Sequence, residues 1–436
     1  MVSRRSLVAS MTSLGLCLPL SALRLNSTSW GAEQPTAAVM ADSLIEFLSV
    51  QTHLNWRNTV WDQDAWRPLL GNLGVRYTRS TIGNRMAREH LEALHRDYGI
   101  RSSATFNAIA EDGAFELDKT TKILDFLRDR IGAEKLYAIE GPNEYTHRHK
   151  TEGWAQRVRD YQEFLHNSVR SDAALKDLEV MAPTIWKRIV ADYESMGDLS
   201  AFADFGNLHL YNAGRRPSRF NRNESDEPID VAISEAQIVV PGKPICVTEA
   251  GFNVAANGAP TRWTVPADVA AKYSLRLLAE LFLRREQVHR ANLYSLIDDE
   301  HKDDHYGLLD AKLQPRPAYH ALQNLIALLA DPGPAFTPAP LTFALRSSSA
   351  NIHSVLFQKR NGHHLLMVWQ DAESYDRRNA SAIKVDPAPA ILDLGGRSAN
   401  IRTYMPLESG SVLNETTAAS IELAIPDHLL IVEVSS

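Results

Sequence analysis

Cysteine is almost absent from this 436-residue chain: Cys17 and Cys246 are the only two, so no disulfide framework can staple it. There is no block of five or six basic residues, and 46 basic side chains stand against 53 acidic ones. The electrostatic footprint needed for nucleic acid or an anionic membrane is therefore missing. After the N-terminal stretch no apolar run reaches the roughly 18 residues of a spanning helix, so no membrane association is expected once that stretch is removed. Internal repeats and long low-complexity tracts are also lacking. What is present, 44% hydrophobic and 23% charged residues, is the composition of a globular chain, and the length suggests about two to four domains.

The first residues place Arg4 and Arg5 ahead of a short apolar stretch from Leu7 to Leu23 broken by Ser, Gly and Pro. That order resembles a twin-arginine export signal over residues 1–32, which implies a bacterial protein delivered folded to the periplasm or beyond. Loss of Cys17 with the signal would leave one thiol.

From Leu44 onward, short β-rich runs alternate with longer stretches of helical periodicity. The runs cover residues 45–53, 74–80, 100–107, 136–140, 178–183, 206–211, 244–249 and 291–297. Eight β-α units over residues 42–330 predict a (β/α)8 barrel. A doubly wound sheet would carry a glycine-rich phosphate loop after its first strand, where Val50-Gln51-Thr52-His53 stands instead. The cluster Asp331-Pro332-Gly333-Pro334 marks a boundary, and the short β runs beyond it predict an all-β sandwich over 335–436.

A barrel keeps its chemistry at the C-terminal strand ends. Strand four ends in Glu140-Gly141-Pro142-Asn143-Glu144-Tyr145, strand seven in Thr248-Glu249-Ala250-Gly251, and strand six in His209-Leu210-Tyr211-Asn212. Arg79 ends strand two, Asn107 strand three, and His53, near Trp56, strand one. Strands four and seven face one another across a barrel mouth, which lets Glu144 and Glu249 flank a glycosidic bond as a paired acid and nucleophile. The acid of such a pair carries its proton at rest, and the nucleophile is held ionised by neighbouring donors.

Asn143-Glu144 at the fourth strand end with Glu249 at the seventh resembles the retaining glycosidases of clan A, similar to families 39, 30, 79 and 5, over residues 42–330. The resemblance implies that Glu144 is the acid/base, Glu249 the nucleophile, and Asn143 the partner of a sugar 2-hydroxyl. It places His209 and Tyr211 beside the nucleophile and makes Arg79 the residue that keeps it charged, with Arg76 the competitor three residues away. The clan needs no cofactor or metal and takes carbohydrate with β-D or α-L type linkages. Tyr145 stands where many members have Pro, and strand eight, Tyr294-Ser295-Leu296-Ile297-Asp298, lacks the tryptophan that often floors the clan's central subsite.

Other polar clusters have bland readings. Glu140 reads as a supporting hydrogen-bond partner deeper in the barrel. The acidic run 298–305 lacks EF-hand spacing and reads as solvated or touching glycan, with Asp298 a substrate-binding candidate. His147 and His149 lack a third zinc ligand. Trp56, Trp61, Trp154, Trp186 and Trp263 lie in or near upper loops, with Trp56 and Trp186 chosen as sugar platforms. Cys246 alternates away from Glu249 and should pack between sheet and helices. The alternatives in play are a non-catalytic carbohydrate-binding barrel, a transglycosylase, and a metal-dependent hydrolase. The last would need His-x-His at strand one, where only His53 stands.

Overall fold

The computed structural model describes residues 34–222, 225–256, 258–299 and 304–435; the export signal expected over 1–32 lies outside them. The eight expected runs form one parallel sheet: Leu48–Gln51, Tyr77–Ser80, Arg101–Thr105, Leu136–Glu140, Glu179–Met181, Gly206–Tyr211, Ile245–Gly251 and Val288–Leu293. Strand one pairs with both strand two and strand eight, and the bridge Met181 to Phe205 closes the circle between strands five and six. The barrel is thus the predicted (β/α)8 fold, joined to strand-rich sheets.

Local chemistry explains the crossover helices. Helix Arg85–Tyr98 starts where the Asn84 side chain accepts from the Ala87 N–H at 2.8 Å, and ends at Gly99 in the left-handed region. Ala87, His90, Leu91 and Leu94 form its buried stripe. Helix Ala267–Leu283 is buried nearly all round because the barrel covers one side and the C-terminal domain the other.

Strand limits differ from expectation in six of the eight runs, and two of the shifts have a clear cause. Residues 45–47 belong to the short helix Ser43–Phe47, because Leu44, Ile45 and Phe47 are buried in the core and an apolar run that short suits helix as well as strand. Strand eight begins at Val288, ahead of the expected Ala291, with Arg290 inside it. The Arg290 guanidinium lies over the rings of Tyr77 and Tyr137, 4.0 and 4.6 Å from their centroids, so a cation is accommodated where the pattern calls for an apolar side chain.

The C-terminal domain is a sandwich of a four-stranded and a six-stranded sheet. It extends beyond residues 335–436 by two strands taken from ahead of the barrel: Gln34–Thr36 pairs with Leu341–Ser347, and Val39–Met40 with Ile352–Gln358. The chain therefore enters through the sandwich, builds the barrel and returns. The two domains meet on buried charge. Glu280 accepts from Trp369 Nε1 at 2.9 Å, lies 2.7 Å from His353 Nδ1, and pairs with Arg284 at 3.0 Å. Fully buried Arg276 donates to Asp371 Oδ1 and to the Ala372 carbonyl, each at 2.8 Å.

Candidate active site

Strand six presents His209 and Tyr211 on one face by simple alternation, while Leu208 and Leu210 pack outward into the helix-side core. Strand seven does not alternate simply. Its register slips between Val247 and Glu249 against strand six, and between Val247 and Ala250 against strand eight. A bulge of this kind re-aims side chains. It turns Glu249 into the barrel mouth opposite His209, and it explains why Cys246 is not between sheet and helices as expected. Cys246 packs inside with Tyr77, Tyr137, Ala138 and Met181, where burial pushes its thiol well up and leaves it inert. The bulge is braced by Thr248 Oγ1 donating to Asn207 Oδ1 at 2.5 Å, and by Asn292 Nδ2 donating to the Thr248 carbonyl at 2.9 Å.

Arg79 organises the floor. Its guanidinium donates to both Glu140 oxygens at 2.6 and 2.7 Å, to Gln51 Oε1 at 2.8 Å, to Glu249 Oε1 at 2.8 Å and to Asn143 Oδ1 at 2.6 Å. Arg79 is 3% exposed and Glu140 fully buried, so the fork-shaped pair is both desolvated and satisfied. Arg76 lies elsewhere, paired with Asp42 at 2.6 Å and with Glu46.

Glu144 holds a left-handed backbone, φ 47° and ψ 42°. For a residue with a side chain this costs about 1–3 kcal/mol and persists only where the surroundings enforce it. They do so here. The Glu144 N–H donates to Thr184 Oγ1 at 2.9 Å, the Asn143 N–H to Asn107 Oδ1 at 3.0 Å, and the Thr184 N–H to the Pro142 carbonyl at 3.1 Å. Gly141 lets this loop lie on strand five, since a Cβ there would meet Gln162 Oε1 at 2.3 Å and the Pro183 nitrogen at 3.0 Å.

The result is a compact trio. His209 Nδ1 is 2.8 Å from Glu144 Oε1 and 3.5 Å from Glu249 Oε2, and one donor atom from each of the three lies within 4.8 Å of the others. Tyr211 donates its hydroxyl to Glu249 Oε2 at 2.6 Å. Burial alone would push the Glu249 carboxyl up. The charges of His209 and Arg79 and the Tyr211 and Arg79 hydrogen bonds outweigh it, holding Glu249 below the usual carboxylate value. For His209, burial pushes the imidazole down, but the Glu249 charge and the Glu144 contact together raise it.

Around this centre stand aromatic rings. Tyr294, at the end of strand eight, and Tyr306, in the loop beyond it, lie edge-on to Tyr211 and to each other, with centroids 5.3–6.2 Å apart. His53 stacks on half-buried Trp56 at 3.7 Å and meets Tyr294 edge-on at 5.8 Å. Sequence reasoning did not select Tyr294, Tyr306, Gln51 or Thr184 as site residues. Tyr294 was reachable from its place at the end of strand eight, but Tyr306 sits in an irregular loop with no periodicity to locate it.

The remaining candidates are more peripheral. Trp186 follows strand five and packs against His147 at 4.3 Å and under Lys187 Nζ at 4.1 Å. Trp61 is a core residue, 1% exposed, edge-on to Trp66. Asp298 is committed to structure. It accepts from both Arg316 terminal nitrogens at 2.6 Å and from the Gly307 N–H at 2.8 Å, and its Oδ2 lies 3.0 Å from His305 Nδ1.

Among the described residues, two trios have the donor types of a metal site, Glu144-His209-Glu249 and Glu280-His353-Asp371. In the first, a divalent ion would sit against the Arg79 guanidinium and compete with Tyr211 for Glu249. In the second, Arg276 and Arg284 already supply the positive charge. Neither arrangement favours a cation.

No protein-family model matches the chain, and no curated protein matches its sequence. Solved structures share its fold. A family 39 glycoside hydrolase from the gut symbiont Bacteroides cellulosilyticus WH2 aligns with TM-score 0.62 at 14% identity, over 91% of this chain and 82% of its own. The family 39 enzyme from Xanthomonas axonopodis pv. citri gives 0.58 at 14%, over 96% and 99%. The family 51 arabinofuranosidase from Xanthomonas axonopodis pv. citri gives 0.56 at 11%, over 92% and 98%.

Proposed function

We propose that this chain is a retaining glycoside hydrolase acting on an oligo- or polysaccharide by two displacements. The observation that carries the reading is the placement of Glu144 and Glu249: oxygens within 4.8 Å of one another, on strand ends four and seven, with Glu249 held ionised. Inverting enzymes keep their carboxyls about 6.5–9.5 Å apart to admit a water, and the closer approach here supports retention. The glycosidase fold of the structural neighbours agrees with the reading.

In the first step a Glu249 oxygen attacks the anomeric carbon while Glu144 gives its proton to the departing glycosidic oxygen. A glycosyl ester forms and the C–O bond to the leaving group breaks. Glu144, now a carboxylate, removes a proton from water, and the resulting attack at the anomeric carbon releases Glu249. Arg79 and Tyr211 steady the nucleophile as its charge is spent and restored. Asn143 gives its Oδ1 to Arg79, which leaves the Nδ2 protons for the sugar 2-hydroxyl. Action outside the cytoplasm belongs to the same proposal and rests on the arginine-led N-terminal stretch.

The test is release of reducing ends from a panel of plant, bacterial and algal polysaccharides by the wild type, Glu144→Gln and Glu249→Gln. Turnover on at least one glycan, lost in both variants, is the expected outcome. Full turnover in Glu249→Gln would overturn the reading.

A further inference from the structure

Beside the carboxylate pair, on the same end of the barrel, lies a cleft of about 840 Å³ that the reaction above does not use. Its walls come from three segments. Arg215 belongs to the loop that follows Tyr211 on strand six, and Arg262 to the loop that follows Glu249 on strand seven. Tyr375, Arg377 and Arg378 belong to a hairpin of the sandwich in which Tyr375–Asp376 pairs with Ser381–Ala382. The hairpin is fastened to both barrel loops: Tyr375 donates its hydroxyl to the Thr261 carbonyl at 2.6 Å, and Arg377 Nε donates to the Ala213 carbonyl at 2.8 Å. All three segments converge at Gly214, whose φ is +76° and where a Cβ would meet the Arg262 carbonyl at 3.3 Å and the Tyr375 ring at 3.4 Å. The left-handed backbone favours glycine here, and the packing leaves a side chain little space.

The electrostatics of the lining are asymmetric. Four guanidiniums face three carboxylates, and each carboxylate has its own partners. Asp226 pairs with Arg219 at 3.2 Å and with the lining Arg215 at 3.5 Å, which leaves Arg262, Arg377 and Arg378 as the cations not matched to it. Asp376 accepts from the Arg378 and Asn379 N–H groups and from Asn379 Nδ2. Glu373 accepts from the Arg216 N–H, and burial raises its carboxyl toward the neutral form. On the other side, the Arg378 guanidinium is exposed and has no hydrogen bond or ion pair among the described residues. Arg262 lies over the Trp263 ring at 4.6 Å, and that indole is 40% exposed at the rim, an apolar platform beside fixed cations.

We infer that this cleft is an accessory glycan subsite, built jointly by the barrel loops and the sandwich, that takes an anionic sugar unit bearing a carboxylate or a sulfate ester. The inference rests on the reading of the chain as a glycan-acting enzyme and gives the sandwich a share in substrate recognition. Planar guanidiniums suit both anions, which accept paired N–H donors. The site's position beyond the strand-six and strand-seven ends places such a unit away from the bond being cleaved, so it selects the polymer without taking part in the chemistry.

The test uses the full chain as Glu249→Gln, so that no probe is consumed, and measures binding by titration calorimetry at low and moderate salt. The probes are a hexameric oligogalacturonate, a sulfated carrageenan hexasaccharide and neutral cellohexaose. Expected is salt-sensitive binding of at least one anionic probe, stronger than that of cellohexaose and weakened about tenfold or more by Arg378→Glu. Oligogalacturonate alone would identify the carboxylate as the anion, and carrageenan alone the sulfate. Arg378→Glu is exposed and unpartnered, and an unchanged melting curve verifies its fold; Arg262→Ala provides a second, independent loss. The inference is overturned if neither anionic probe exceeds cellohexaose, or if both variants bind as tightly as their parent. Anion binding here by a wild type inert on every glycan would instead count against the hydrolase reading alone.

Discussion

Arg79 Nη1 donates to Glu249 Oε1 at 2.8 Å while the other edge of the same guanidinium is locked in a two-point pair with buried Glu140. The nucleophile therefore leans on a cation that cannot turn away. Arg79→Lys keeps a charge but loses the fork, and Glu249 should then ionise less readily. Since its carboxyl lies below the ordinary value of 4.5, removing a stabilising donor moves it up. The acid limb of the kcat/KM profile should shift to higher pH, with kcat reduced; an unshifted limb would mean that Arg79 serves only the fold.

Tyr211→Phe removes one hydrogen bond, 2.6 Å, from the other oxygen of Glu249. A bond to a charged group contributes about 1.5–3 kcal/mol, so a loss of about tenfold or more in kcat/KM is expected. The acid limb should again move upward, and the melting temperature should stay close to that of the wild type. Steady-state kinetics across pH, with a thermal melt, checks both.

The same reasoning separates Asp298 from the substrate. Its carboxylate is 4% exposed by residue and filled by Arg316 and the Gly307 N–H. Asp298→Ala strands the arginine and should destabilise the chain by about 3–5 kcal/mol. Denaturant unfolding should show that loss, while any folded variant keeps its KM. A raised KM with unchanged stability would restore Asp298 to the binding site.

The domain interface carries a pH signature. Burial pushes Glu280 up, but His353, Arg284 and Trp369 bring it from 4.5 down to about 2. Its contribution is present above pH 4.5 and fades as pH falls toward 2. Burial pushes His353 down, yet the Glu280 contact raises it above 6.5. Its contribution is full below pH 6.5 and fades as pH climbs through the higher folded value. Docking should be firmest between about pH 4.5 and 6.5. Glu280→Gln should flatten the acid side of a stability profile and His353→Phe the alkaline side, as differential scanning calorimetry across pH would reveal.

Much of this was legible because barrel geometry converts strand ends into neighbours. Runs 136–140 and 206–211 coincide with strands four and six, and Asn143, Glu144, His209, Tyr211, Arg79 and Glu249 meet in space because they lie at the ends of four strands, two, four, six and seven, of one barrel. What escaped depends on departures from period. The bulge between Val247 and Glu249 puts Cys246 inside the barrel, which strict alternation forbids. Arg290 hid the start of strand eight because its charge is masked by Tyr77 and Tyr137, contacts between residues distant in sequence. Strands 34–36 and 39–40 were missed because they are three and two residues long and gain their partners only after the whole barrel has been traversed.

The double-displacement proposal meets its most direct test in trapping. A panel of aryl 2-deoxy-2-fluoro-glycosides, chosen to match whichever glycan the wild type hydrolyses, should give a stoichiometric mass increase of one glycosyl unit. Peptide mapping should place that unit on Glu249, and Glu144→Gln should still acquire it from a substrate with a highly activated leaving group. Hydrolysis that proceeds with no adduct and releases the inverted anomer first, or an adduct on another residue, would contradict the assignment of Glu249 as the nucleophile.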